Sequence, residues 1–408
     1  MVAGWPFGNF RPPPQRSLQT EYVEVTRIAP VRSRRYDPIT RSGGVVMSAR
    51  VRVPPARIAR TADAARHYLL RLQQKLTAPQ AVMLEMILAG WTSQALTTAA
   101  DLGVADALAD GPLAIGDLAR KVDADPERLA RLMRALTSRG VFRQRRDGRY
   151  ALNALATTLR SDASASLAGA ARFYGSRLHR EHWSMLTDSV RTGKPGVPTL
   201  RGMDWWQFSA ANPEFGDLFN GAMTSISELS APVVAAAYDF SPFPTIVDVG
   251  GGHGRLLSAI LAATPTARGV LFDLPDVVAD APALLRAHGV ADRVDIVGGS
   301  FFDAVPDGDA YVLKNVIHDW DDDEALPILG NIRSALSDRG AILLVEMVIP
   351  SHHREFLGNM VDLEMLNGGN ARERTADEYR SLLARANLRM TRVVATAGPY
   401  SVIEARAA

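Results

Sequence analysis

The glycines at 250, 252 and 254 stand between the apolar run Thr245–Val249 and a helical stretch from Leu256 to Ala263. A strand, a glycine turn and a helix start present free backbone N–H groups to a bound ligand of nucleotide type. The dinucleotide fingerprint asks for a further glycine where Arg255 stands, so G-x-G-x-G favours a nucleoside with a charged tail over a dinucleotide. A second buried run, Tyr311–Ile317, leads directly into His318, a residue type that exchanges protons near neutral pH. A ligand cradle and a histidine at neighbouring strand ends together point to an enzyme.

These residues need an open α/β sheet behind them. From residue 241 onward, runs at Ile246–Val249, Gly269–Phe272, Val294–Val297, Ala310–Asn315 and Ala341–Glu346 read as strands separated by helices, the pattern of a doubly wound sheet. Met390–Ala395 and Tyr400–Ala405 flank Gly398-Pro399 and read as a closing antiparallel hairpin. Ligands bind such sheets outside the carboxyl ends of the strands. Asp248 lies at the end of the first strand. Asp273 ends the second, about twenty residues past the glycines, placed to accept hydrogen bonds from both hydroxyls of a ribose. Ser300 and Phe301 follow the third strand, where an adenine ring would lie; Lys314 and His318 end the fourth, and Glu346 ends the fifth.

Upstream, Ile115 to Val122 and Pro126 to Arg139 read as two helices, followed by a hairpin around Asp147-Gly148. Helix, turn, helix, hairpin is a winged helix. Arg143, Arg145, Arg146 and Arg149 on its wing raise the alternative of a ligand-sensing DNA-binding regulator. A module joined to a ligand cradle and a candidate base is better read as a subunit contact, with no nucleic-acid partner. Residues 161–240 read as a helical connector rich in Phe, Trp and Met, mostly core, with some side chains available to line a pocket for a flat apolar molecule.

The 408 residues, 47% hydrophobic and 22% charged, are ordinary for a globular protein of two or three domains. No apolar run reaches the ~20 residues that span a bilayer, so no membrane partner is expected. There is no cysteine, hence no thiolate nucleophile and no disulfide framework, which suits the cytoplasm. Residues 1–60 hold eleven Arg against three acids and many prolines, and read as a disordered tail. Gly43-Gly44 can be encoded by a ribosome-binding sequence two codons ahead of Met47, which makes Met47 an alternative start.

The segments DVGGGHG, LFDLP, GGSFFD, LKNVIHDWDDDEA, VEMVIP and NARERTADEY resemble those of the S-adenosylmethionine-dependent O-methyltransferases of the caffeate, isoflavone and acetylserotonin type. The similarity runs over roughly residues 77 to 408 and includes a winged-helix dimerisation domain. It implies a Rossmann-like methyltransferase domain at 241–408, a dimerisation domain at 61–160, and a homodimer. It also implies a small aromatic or polyketide-like hydroxyl compound as acceptor.

The same resemblance implies His318 as general base, with Glu346 and Glu373 flanking and orienting it. Gly250, Gly252, Asp273, Phe301, Lys314 and Ser227 match cofactor contacts. Ser300 departs from the family, which often has an Asp there for the adenine amine. Phe219, Met223, Met365 and Asn367 are expected to wall the acceptor. The run Asp319, Asp321, Asp322, Asp323, Glu324 reads as a helix N-cap and first turn rather than a metal site, with Asp319 structural, so no metal is expected. The second enzymatic alternative is decarboxylation or hydroxylation by a homologue of this fold, generally without the histidine.

Overall fold

The strand runs alternate in which face each residue gives to the core, and the sheet they form separates two apolar layers. The computed structural model describes residues 53–351 and 356–408. Its main sheet has seven strands: β1 Thr245–Val249, β2 Arg268–Asp273, β3 Val294–Gly298, β4 Gly308–Lys314, β5 Leu336–Glu346, β6 Leu388–Ala395 and β7 Ser401–Ala407. They lie in the order β3-β2-β1-β4-β5-β7-β6. The first five pair in parallel, and β7 pairs antiparallel with both β5 and β6. Ile246, Leu271, Val312 and Leu343 face one layer, against helix Arg255–Ala263 and the end of helix Pro213–Ala237. Val247, Phe272, Leu313 and Leu344 face the other, against helices Asp322–Ala335 and Ala376–Arg385. The order reverses between β1 and β4, so the crevice at their carboxyl ends is where such a sheet takes its ligand.

The winged helix is present as helices Ile115–Lys121 and Pro126–Ser138 with a short hairpin, Arg143–Gln144 paired with Tyr150–Ala151. Asp125 caps the second helix by accepting from the Arg128 N–H at 2.8 Å, and Leu129, Met133 and Leu136 are buried on one face. On the wing, Arg145 and Arg149 both pair with Asp147, which reduces the positive charge left for a phosphate.

The tail expected over 1–60 falls largely outside the described residues. The structure corrects its upper bound: helix Ala56–Leu76 begins inside it, because the stretch after Pro55 has no further proline and Pro at the position before a helix is tolerated. None of the residues of that helix is buried. No helix among the described residues is long and apolar enough to cross a membrane.

Candidate active site

The turn after β1 is held open by glycine. Gly250, Gly252 and Gly254 all have positive φ, at 66°, 58° and 82°. A Cβ at Gly250 would meet Val316 Cγ2 at 2.8 Å, whereas one at Gly252 would meet nothing within 4 Å. The flank of Gly252 is therefore open space. The Gly252 N–H donates to Asp273 Oδ2 at 2.8 Å and the Leu274 N–H to Oδ1 at 2.7 Å, fixing the carboxylate beside the turn. Asp248 lies beneath the loop, buried, with Oδ2 lacking a hydrogen-bond partner; burial, opposed by Lys314, pushes it up to about 7.

The rest of the rim assembles around this turn. Phe301 packs on the core beside Gly250 and contacts Phe302 and Trp320. The Ser300 hydroxyl accepts from the Phe302 N–H at 3.2 Å, shaping the loop that lays down Phe301. Lys314 has its Nζ 5.6 Å from the Tyr400 ring centroid; burial lowers its pKa against Asp248, Glu346 and Asp319. Asn315 turns the chain out of β4 at φ 55°, a left-handed conformation that Asn tolerates, and donates to Tyr400 Oη at 3.2 Å. Ser227, on helix Pro213–Ala237, is half-buried; its neighbour Glu228 pairs with Arg255 at 2.6 Å, tying that helix to the one that starts after the glycine turn.

His318 is buried on a single 3₁₀ turn, Ile317–Asp319. Its Nδ1 is 2.8 Å from Glu373 Oε1 and 3.9 Å from Glu346 Oε2, and its Nε2 is 3.4 Å from Asp319 Oδ1. Both glutamates flank the ring, in different ways. Glu373 bonds it; Glu346, within ion-pair distance, accepts from the Ile317 N–H at 3.1 Å, because it ends a buried central strand directly behind that peptide. The environment also shifts the histidine away from the neutral range usual for its residue type. Burial lowers the pKa of His318, but Asp319, Glu346 and Glu373 outweigh it and push it up to about 10. Burial also raises Glu346, to about 8, and Asp319, to about 6. Asp319, read as structural, is therefore a third acid at the ring.

His318, Glu346 and Glu373 offer ligand atoms within 4.8 Å of one another, close enough to surround a cation. The His318–Glu373 hydrogen bond already engages one of these atoms on each of two residues, Nδ1 and Oε1. The acidic run behaves as a cap: Asp321 accepts from the Asp323 and Glu324 N–H groups at 2.9 Å.

The expected acceptor walls divide. Phe219 and Met223 pack partly buried against Phe173, Phe208 and Phe215, with the Phe219 ring edge-on to Phe173 and Trp205 at 5.6 Å each. Met365 is half-buried on helix Leu357–Gly368. Asn367 is turned inward, about 200° further round the same helix, where its amide donates to His182 O at 2.8 Å and accepts from Ser189 Oγ at 3.2 Å. Its polar atoms are used within the protein. Next to Met365, Glu364 is held by His179 at 2.9 Å and by the Trp183 indole N–H, a polar anchor among aromatic rings that the sequence reading passed over.

A doubly wound sheet with a glycine cradle, preceded by a winged helix, defines a nucleoside-binding enzyme built on a subunit-contact module. Comparison with known proteins narrows the class. Residues 183–389 match the O-methyltransferase domain, and residues 84–162 match the O-methyltransferase dimerisation domain. The phenazine O-methyltransferase PhzM of Lysobacter antibioticus is 41% identical over 326 residues, 80% of this chain and 95% of that protein. The crystal structure of LaPhzM superposes with a TM-score of 0.78 at 40% identity, covering 81% of this chain and all of the other. Human N-acetylserotonin methyltransferase, solved in complex with S-adenosylmethionine, has a TM-score of 0.76 at 26% identity, with 81% and 98% covered. Other relatives above 30% identity are named as N-methyltransferases. The chain belongs to the O-methyltransferase family and is an S-adenosylmethionine-dependent enzyme.

The residues at the cradle fit that cofactor. The open flank of Gly252 leaves room where a side chain would stand, Asp273 keeps acceptor capacity beside it, and Asp248 offers a buried oxygen with no protein partner.

Proposed function

We propose that the enzyme methylates a phenolic hydroxyl of a small aromatic or polyketide-like metabolite, with His318 as the proton acceptor. The observation that carries this reading is the 2.8 Å hydrogen bond between His318 Nδ1 and Glu373. A carboxylate partner accepts, which favours the N–H on Nδ1 and leaves Nε2 to receive a proton. With the imidazole raised to about 10 and a phenol near ~10, transfer from phenol to the neutral ring is close to thermoneutral. Methylation at a ring nitrogen that carries no proton would give this pair nothing to do.

S-adenosylmethionine, when bound, supplies an electrophilic sulfonium methyl group. Gly250, Gly252, Asp273, Phe301 and Lys314 would hold it, with Ser227 and Ser300 alongside. Because the methyl group is already activated, the protein's remaining task is positioning. Phe219, Met223 and Met365 offer flat apolar walls for an aromatic acceptor. The names of relatives that act on phenazine and mitomycin-type compounds support a polycyclic acceptor. A screen of phenols, hydroxyphenazines and naphthols with labelled methyl donor tests this, each run with and without EDTA. Transfer only to acceptors that lack a hydroxyl, or activity lost in EDTA and restored by magnesium, would overturn the reading.

We further propose that the enzyme is a homodimer. Leu76, Ile87 and Trp91 are 80%, 68% and 73% exposed on consecutive helices, apolar side chains that a second copy would take out of water.

A further inference from the structure

Arg374 is the largest fully buried side chain among the described residues. A guanidinium keeps its charge when buried, so it needs acceptors for its N–H groups. Arg374 finds them on one short segment. Nη1 donates to Ile317 O at 2.9 Å and Nη2 to Trp320 O at 2.8 Å, the carbonyls of the first residue of the 3₁₀ turn that carries His318 and of the residue that follows the turn. Nε and Nη2 both donate to Asp322 Oδ1, at 3.0 and 2.9 Å, which orients the fork. The same stretch of chain grips the turn twice more. The Arg372 N–H donates to His318 O at 2.9 Å, and Glu373 holds the imidazole itself.

We infer that Arg374 is a positioning residue for the methyl transfer, acting by fixing the Ile317–Trp320 turn so that the His318 ring meets Glu373. Both backbone groups of Ile317 are then held, its N–H by Glu346 and its C=O by Arg374. A core arginine serving stability alone would have no reason to direct two bonds at this turn in particular. A lysine keeps the charge but cannot span two carbonyls and a carboxylate with a planar fork. The inference rests on His318 being the proton acceptor.

The test compares Arg374→Lys and Asp322→Asn with the wild type, alongside His318→Ala. Two readouts are used: turnover with saturating S-adenosylmethionine, and the titration midpoint of His318 followed by NMR in protein without cofactor. Asp322 is part-exposed and Asn keeps its size, so its variant disturbs the core less than Arg374→Lys, and a melting curve of each variant separates lost folding from a looser turn. Arg374→Lys is expected to lower turnover by roughly 10–100-fold, and Asp322→Asn by less. Both should move the His318 midpoint down, because a looser turn weakens the bond to Glu373 that helps hold the midpoint high. S-adenosylmethionine affinity should stay within about twofold of the wild type. Unchanged turnover and an unchanged midpoint in both variants, with His318→Ala inactive, would overturn the role of Arg374. If His318→Ala itself kept full turnover, the failure would lie with the assignment of the base.

Discussion

His318 and Glu373 are 55 residues apart in sequence and share a 2.8 Å hydrogen bond at the carboxyl edge of the sheet. His318 stands just past β4, and Glu373 sits in the loop between helix Leu357–Gly368 and helix Ala376–Arg385. Their meeting depends on that loop returning to the end of β4, where the Arg372 N–H also donates to His318 O at 2.9 Å. Both side chains are buried, so the bond is made away from competing water.

The pH dependence of turnover follows from that setting. The base must be neutral to take a proton, and its pKa is raised to about 10, so turnover should climb as pH rises from neutrality towards that value. Glu373→Gln removes one carboxylate that raises the pKa and leaves burial, which lowers it, with less opposition. The rising limb should move to lower pH, while the maximum falls because the ring is held less firmly. A profile of turnover against pH with a weakly acidic phenol checks this. A limb unmoved by Glu373→Gln would mean that the glutamate does not govern the histidine.

Asp273→Ala should weaken S-adenosylmethionine binding by roughly 1–3 kcal/mol, the cost of leaving buried polar groups unpaired. The carboxylate has two tasks, since it also accepts from the Gly252 and Leu274 N–H groups. Calorimetric titration measures the change; unaltered affinity would place the ribose elsewhere.

Gly250 and Gly252 should respond differently to Ala. Each carries the left-handed backbone penalty of about 1–2 kcal/mol. Only Gly250→Ala adds a collision, with Val316 at 2.8 Å, so it should lower Tm more. Gly252→Ala puts its methyl into the open flank and should weaken cofactor binding at a smaller cost in Tm. Equal melting temperatures, with full cofactor affinity in Gly252→Ala, would contradict the cradle.

The dimer should dissociate when its apolar surface is charged. Ile87→Glu combined with Trp91→Glu is expected to shift the protein from dimer to monomer in light scattering at micromolar concentration, with the far-ultraviolet circular dichroism retained. A wild-type protein that already scatters as a monomer would refute the interface.

Much of this was legible in the sequence, for reasons that differ by residue. The β1 and β4 runs were readable because parallel central strands are buried on both faces and appear as unbroken apolar stretches. The glycine turn was readable because positive φ leaves few alternatives to glycine. The strand pattern puts Glu346 on the rim, but its role, and Glu373 altogether, come from the family resemblance; nothing in their own spacing separates an acid that bonds a ring from one that bonds a peptide. Arg374 gave no signal, because an arginine is expected at the surface and its burial depends on acceptors more than 50 positions away. Asn367 was misplaced for a geometric reason: two positions from Met365 on a helix is nearly the opposite side.

The central claim is that His318 takes the proton, and His318→Ala measured on a phenol of high pKa tests it most directly. Turnover is expected to fall by roughly 10²–10⁴-fold, the usual contribution of a general base, with S-adenosylmethionine affinity nearly unchanged because the cradle lies on β1 and β2. The loss should shrink for acidic phenols that are already ionised at the assay pH. Wild-type turnover by His318→Ala on the high-pKa phenol would contradict the account and leave positioning as the sole source of catalysis.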